Sequence, residues 1–113
     1  MTIHLHEGDL PEGLDFSNGA AVDTETMGLR SGRDRLCVVQ VSSGDGQAHL
    51  VRVARGQCEA PRLTAMLTDD SVVKLFHYAR FDVAALHSAF GVLCRPIYCT
   101  KIASKLVHTY TDR

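Results

Sequence analysis

Apolar positions follow two rhythms along the chain. In the first half they come in short runs broken by Gly, Asp and Ser. "GAAVDTET", residues 19–26, reads as a buried strand. "RLCVVQVSS", residues 35–43, is apolar on both faces, with Leu36 and Val38 alternating against Cys37, Val39 and Val41, as expected of a central strand. The turn chemistry of "SSGDG" leads into "QAHLVRV", residues 47–53, and predicts an antiparallel hairpin. Residues 1–19, rich in Gly, Asp and Pro, read as a lead-in with one short edge strand around Ile3 and Leu5.

In the second half the period lengthens. Pro61 can open a helix carrying Leu63, Met66 and Leu67, which "TDDS" closes. "VVKLFHY" is the next strand, and residues 79–90 have helical periodicity ended by Gly91. "VLCRPIYC" is extended, and Thr100 can then cap a last helix with the stripe Ile102, Ala103, Leu106, Val107 and Tyr110. Strands joined by short turns, followed by strands alternating with helices, predict an α/β fold. Its mixed sheet is covered by helices and pairs in parallel in its second half. No internal repeat or linker divides the chain, so residues 1–113 are expected to form one domain.

Composition narrows the classes. Hydrophobic residues make up 45% and charged ones 22%, which is the balance of a soluble globular domain and excludes disordered or fibrous classes. Twelve basic and thirteen acidic residues leave a net charge of -1, so any polyanion site must be local. The four cysteines show no CxxC spacing, and the N-terminus lacks the basic and apolar regions of a secretory signal, which predicts a reducing, cytoplasmic setting. No run approaches the ~20 apolar residues of a membrane span, so no membrane role is expected.

The candidate chemistry is acidic. In a strand, residues two apart share a face, so Asp23 and Glu25 point one way while Val22 and Thr24 point the other. Two neighbouring carboxylates repel, which raises a pKa or demands a counter-ion, and hard divalent cations prefer such oxygen ligands. The alternative is a solvated pair at an exposed strand end near Arg30, Arg33 or Arg35. A third acid, Asp82, heads the helical stripe continued by Ala85, Leu86, Ala89 and Phe90. Burying a lone carboxylate is costly and calls for a partner, although an acid in a first turn also suits the helix dipole.

The motifs "VDTETMGL" and "FHYARFD", about fifty residues apart and in this order of strands and helices, resemble the first and second exonuclease motifs of the DEDD 3'-5' exonucleases. The ribonuclease D-like group is the most similar. "PIYCTKIASKLVHTYTDR" also resembles the segment after the second motif in that group. The resemblance covers roughly residues 20–113. It implies a ribonuclease-H-like fold, C-terminally incomplete here, and a 3'-5' exoribonuclease that releases nucleoside 5'-monophosphates from single-stranded RNA 3' ends, with DNA as another substrate class. It also implies two divalent ions, Mg²⁺ or Mn²⁺. Asp23 would bridge them, Glu25 would bind one, and Asp82 would hold a metal-bound water or an ion. Two such ions, about 3.5 to 4 Å apart, serve an in-line displacement at phosphorus.

Residues around the motifs carry over as well. Thr26 would contact the terminal 3'-hydroxyl, while Leu29, helped by Met27, would wedge against the last bases, a mode of binding that reads no base edge. Loop packing is the alternative for Met27 and Leu29. His77, at the end of the strand leading to Asp82, and Phe81 complete the substrate-binding candidates, with a structural histidine and a core phenylalanine as the alternatives. Arg30, Arg33 and Arg35 could hold phosphates, with a solvated loop as the alternative, and Lys101, Lys105 and His108 share the polar face of the last expected helix, where a solvent-facing role is the alternative to RNA contact. Cys94 and Cys99 have no matching histidine pair and read as buried thiols.

Two departures from the family pattern stand out. Tyr78 occupies the position where many members have Asn, and the third motif, YxxxD or HxxxD, is not found. The chain is therefore expected to be the N-terminal portion of a longer nuclease, with weakened metal binding and small or absent turnover. Two other readings stand beside the nuclease: a catalytically inactive nucleic-acid-binding module of the same fold, and a small-molecule phosphohydrolase.

Overall fold

The computed structural model describes residues 2–28, 34–77 and 79–99. The expected last helix, with Lys101, Lys105 and His108, lies outside the described residues, as do Leu29, Arg30, Arg33 and Tyr78. The described elements are β1 (Thr2–Glu7), β2 (Ala20–Thr26), β3 (Leu36–Ser42), β4 (Gln47–Arg52), α1 (Pro61–Thr68), β5 (Lys74–Phe76), α2 (Ala79–Phe90) and β6 (Ile97–Cys99). They form a six-stranded sheet in the order β1-β4-β3-β2-β5-β6. β2, β3 and β4 pair antiparallel, whereas β5 and β6 add to β2 in parallel, giving the expected mixed sheet. β1 does more than lead in, for it closes the far edge in parallel with β4.

Alternation along the strands builds the core. Ala20, Val22 and Thr24 of β2 are buried on the face shared with Val39 and Val41 of β3, Val51 of β4 and Phe76 of β5. Leu63, Met66 and Leu67 of α1 and Ala85 and Leu86 of α2 complete that core. Pro61 opens α1 and Gly91, at φ 71°, ends α2, as the sequence predicts. β5 is shorter than "VVKLFHY" suggests, because Val72 and Val73 precede the paired residues. β3 is central in order but buried on only one side: Val38 is half-buried and Gln40 exposed, since both described helices pack on the other face.

Two features tie segments distant in sequence together. Lys74 is fully buried on β5, and its ammonium donates to the carbonyls of Asp69 and Arg95, clamping the end of α1 to the segment before β6. Burial holds its pKa below the usual lysine range. At the other edge, the rings of His4, His6 and His49 stack, with centroids 5.0 and 5.2 Å from His49 to its two neighbours. His6 and His49 also share a 2.9 Å hydrogen bond, which needs an acceptor nitrogen and therefore at least one neutral ring.

Burial, then His6 and His4, hold His49 below the ordinary histidine range, with Asp45 opposing. The folded protein thus binds fewer protons here than the unfolded chain. This contribution to stability is full above the unfolded pKa of about 6.5 and is lost as the pH falls. This contribution to the urea midpoint should be lost between about pH 7 and pH 5, so the pH dependence over that range should differ between the parent and His49→Gln. An unchanged slope in the variant would count against it.

Candidate active site

β2 runs from the buried edge of the core toward a turn at residues 27–28, and the candidate acids lie near that end. Asp23 and Glu25 share a face, as expected, but it is the exposed one. The strand is buried only through Ala20, Val22 and Thr24. Asp23 Oδ1 accepts the backbone N–H of Thr24 at 2.9 Å. Between Glu25 and Thr26 the register with β3 shifts: Glu25 pairs with Val38 and Thr26 with Leu36, leaving Cys37 as the extra residue. Such a bulge adds local twist and re-aims side chains. It also turns Leu36 into the core, where it is 3% exposed, against the simple alternation expected from sequence.

Asp82 enters from α2 and is 4% exposed in the stripe with Ala85 and Leu86. Its Oδ1 accepts a hydrogen bond from the Thr24 hydroxyl, joining positions 58 apart in the chain. Burial pushes the Asp82 carboxyl up to about 6. The Thr24 hydroxyl pulls it back, and the charges of Asp23 and Glu25 raise it further. The three acids therefore feel one another. Among the described residues, however, no three His, Cys, Asp or Glu side chains stand close enough together to hold a metal ion. In chemistry the set fits a hard divalent cation, since every donor is a carboxylate oxygen and the two exposed acids are open to solvent.

The flanking candidates are spread around this end of the sheet. Thr26 is half-buried, and its hydroxyl donates to the carbonyl of Gly28. Met27 is 66% exposed, held by its backbone N–H on the carbonyl of Arg35 at 2.9 Å. His77 is exposed and Phe81 half-buried, so Phe81 is not the core residue of the alternative reading. Arg35 donates through Nη1 to the carbonyl of Val53, and its buried Nε–H finds no partner among the described residues. None of the four cysteines is in a disulfide. Cys94 is buried, which pushes its thiol up to about 11, while Cys99 is only half-buried, its sulfur accepting the Ala79 N–H at 3.2 Å. A cavity of about 550 Å³ lies between residues 10–17 and α1, lined among others by Leu10, Phe16 and Met66, apart from the acids.

A Cβ at Gly28 would come within 2.4 Å of Oδ2 of Asp34, the end of a flexible side chain that must shift to admit it. Gly28→Ala should displace the Asp34 side chain, costing about 1 kcal/mol in a urea titration. A variant as stable as the parent would show that Asp34 moves freely. The residue that sequence reading missed is Thr24, assigned only to the opposite face. The available signal was a hydroxyl on a buried face, which needs a partner.

Comparisons with known proteins point one way. A 3'-5' exonuclease family profile matches residues 10–112. Ribonuclease D of Granulibacter bethesdensis is 34% identical over 83 residues, 74% of this chain and 21% of the relative. Among solved structures, Brucella melitensis NrnC superposes with a TM-score of 0.93 at 53% identity, covering 100% of this chain and 56% of that one. NrnC has also been solved with bound Mg²⁺ and bound to pGG. Escherichia coli ribonuclease D, at 24% identity and a TM-score of 0.66 over 85% of this chain and 28% of that one, shares the fold. The chain spans about a fifth of the length of the ribonuclease D relatives.

Proposed function

Because this chain belongs to the 3'-5' exonuclease family, we propose that it carries the first two acidic motifs of a ribonuclease D-like 3'-5' exoribonuclease acting on single-stranded RNA ends. One observation carries the reading: a single strand bears Asp23 and Glu25 and, through Thr24, grips Asp82 58 positions away. The Mg²⁺ seen in NrnC and the relatedness to ribonuclease D support it.

The acids Asp23, Glu25 and Asp82 would hold the divalent cations, Mg²⁺ or Mn²⁺. A cation there supplies Lewis-acid charge to the scissile phosphate and its attacking water. The other residues select the end of the strand. The hydroxyl of Thr26 spends its proton on Gly28, so its lone pairs are left to accept from a terminal 3'-hydroxyl. Met27, exposed on the turn, offers an apolar surface to the last base, a contact that tolerates any sequence. Leu29, His77 and Phe81 are further candidates for that contact.

The direct test follows 3'-labelled and 5'-labelled single-stranded RNA with Mg²⁺ or Mn²⁺. Release of the 3' label as a mononucleotide, with a descending ladder from the 5' label, is the expected result for a version extended through the third motif, and little or none of it for the 113-residue chain. One observation favours a second reading, a catalytically inactive nucleic-acid-binding module: among the described residues no three potential ligands converge. RNA that is bound but stays full length would select it.

A further inference from the structure

The middle residue of the Asp-Thr-Glu triplet does structural work that its neighbours cannot. Thr24 is 7% exposed and Asp82 4% exposed, and the hydroxyl of one donates to Oδ1 of the other. Strand alternation sends Asp23 and Glu25 to the open face and Thr24 to the covered one, where α2 packs. Resting on the reading of the three acids as cation ligands, we propose that Thr24 is a positioning residue, a peg on the strand that sets the rotamer and depth of Asp82 relative to Asp23 and Glu25.

The physical argument has two parts. A carboxylate at a helix start can take several rotamers, and a hydroxyl donor on a rigid strand selects among them by rewarding one direction of Oδ1. Second, the peg and the two exposed acids are successive residues, so their spacing is fixed by the pleat and not by a loop. Any shift of α2 along the sheet must break the Thr24–Asp82 bond before it can change the spacing of the acids. Hydrogen-bond partners that orient metal ligands commonly govern affinity in this way.

The test is Mg²⁺ binding to the chain by titration calorimetry, without substrate. Thr24→Val keeps the shape and the β-branch but removes the hydroxyl, and should weaken Mg²⁺ binding by about 10- to 100-fold. Thr24→Ser restores the donor and should return affinity to within about threefold of the parent. In an Asp82→Asn background, Thr24→Val should cost nothing further, because the pegged ligand is already gone. Circular dichroism and melting without metal establish that each variant is folded, and Thr24→Ala replaces the valine variant if that one is not.

Asp23→Asn separates the two layers of the reading. Loss of Mg²⁺ binding in Asp23→Asn with parental affinity in Thr24→Val would overturn the peg and leave the cation site standing. Parental binding in both variants would overturn the peg and the cation site together. Failure of serine to restore affinity, or a further loss in the Asp82→Asn background, would show that Thr24 acts by packing alone and would equally overturn it.

Discussion

Asp23→Ala is expected to lower exonuclease turnover by about 10³-fold or more while leaving the fold intact. Asp23 lies on the exposed face of β2, so truncation opens no cavity, and alanine is no worse in a strand than aspartate. The backbone N–H of Thr24 that it loses as an acceptor is the only described hydrogen bond of its side chain. On the proposed reading the variant forfeits charge at the reacting phosphate, worth several kcal/mol for an ion-held Lewis acid, and each 1.36 kcal/mol is about tenfold in rate. Glu25→Ala should fall in the same range, and the double variant should lose little more than either single one, because ligands of one site act as a unit. The measurement is single-turnover release of a 3'-label, alongside RNA affinity by anisotropy. RNA affinity should survive Asp23→Ala. Turnover within tenfold of the parent would remove Asp23 from the chemistry.

Asp82→Asn is expected to stabilise the metal-free protein at neutral pH by about 2–3 kcal/mol. Burial, opposed by the Thr24 hydroxyl and reinforced by Asp23 and then Glu25, raises the Asp82 carboxyl from 3.8 to about 6. A carboxyl with a raised folded-state pKa binds more protons in the folded than in the unfolded chain across that interval, so stability falls as the pH rises from about 4 to about 6. Above the folded pKa the full cost of holding the buried charge is present. Asparagine keeps an oxygen to accept from Thr24 and carries no charge, so the cost vanishes and the slope over this interval flattens. Urea titrations between pH 4 and pH 7 in a chelating buffer read both effects. Added Mg²⁺ should narrow the gap by stabilising the parent, as any ligand of the folded state does. A parent and variant with the same pH slope would show that Asp82 is not strained by its neighbours.

The local elements were legible because their signals are local. Pro61 and Gly91 bound the two helices where expected, and the stripe through Asp82, Ala85 and Leu86 is buried as the helical period requires. β2, β3 and β4 follow from short apolar runs separated by turn residues. The errors were of another kind. Val38 read as buried from the pattern alone, yet its face, which also carries the exposed Gln40, is not covered by either described helix. Leu36 changed sides because one extra residue, Cys37, slipped the pairing between β2 and β3. Neither a missing cover nor a bulge leaves a mark in the periodicity of a single strand, since each depends on what the neighbouring chain segment does.

By itself the sequence determined which segments become strands and helices and that Asp23 and Glu25 share a face, because backbone geometry ties side-chain direction to position along one element. Only the tertiary structure decided that this face is the open one, that β1 closes the sheet against β4, and that Thr24 reaches across to Asp82. Those outcomes depend on contacts between residues some 40 to 60 positions apart, and such pairings are selected by packing of the whole core.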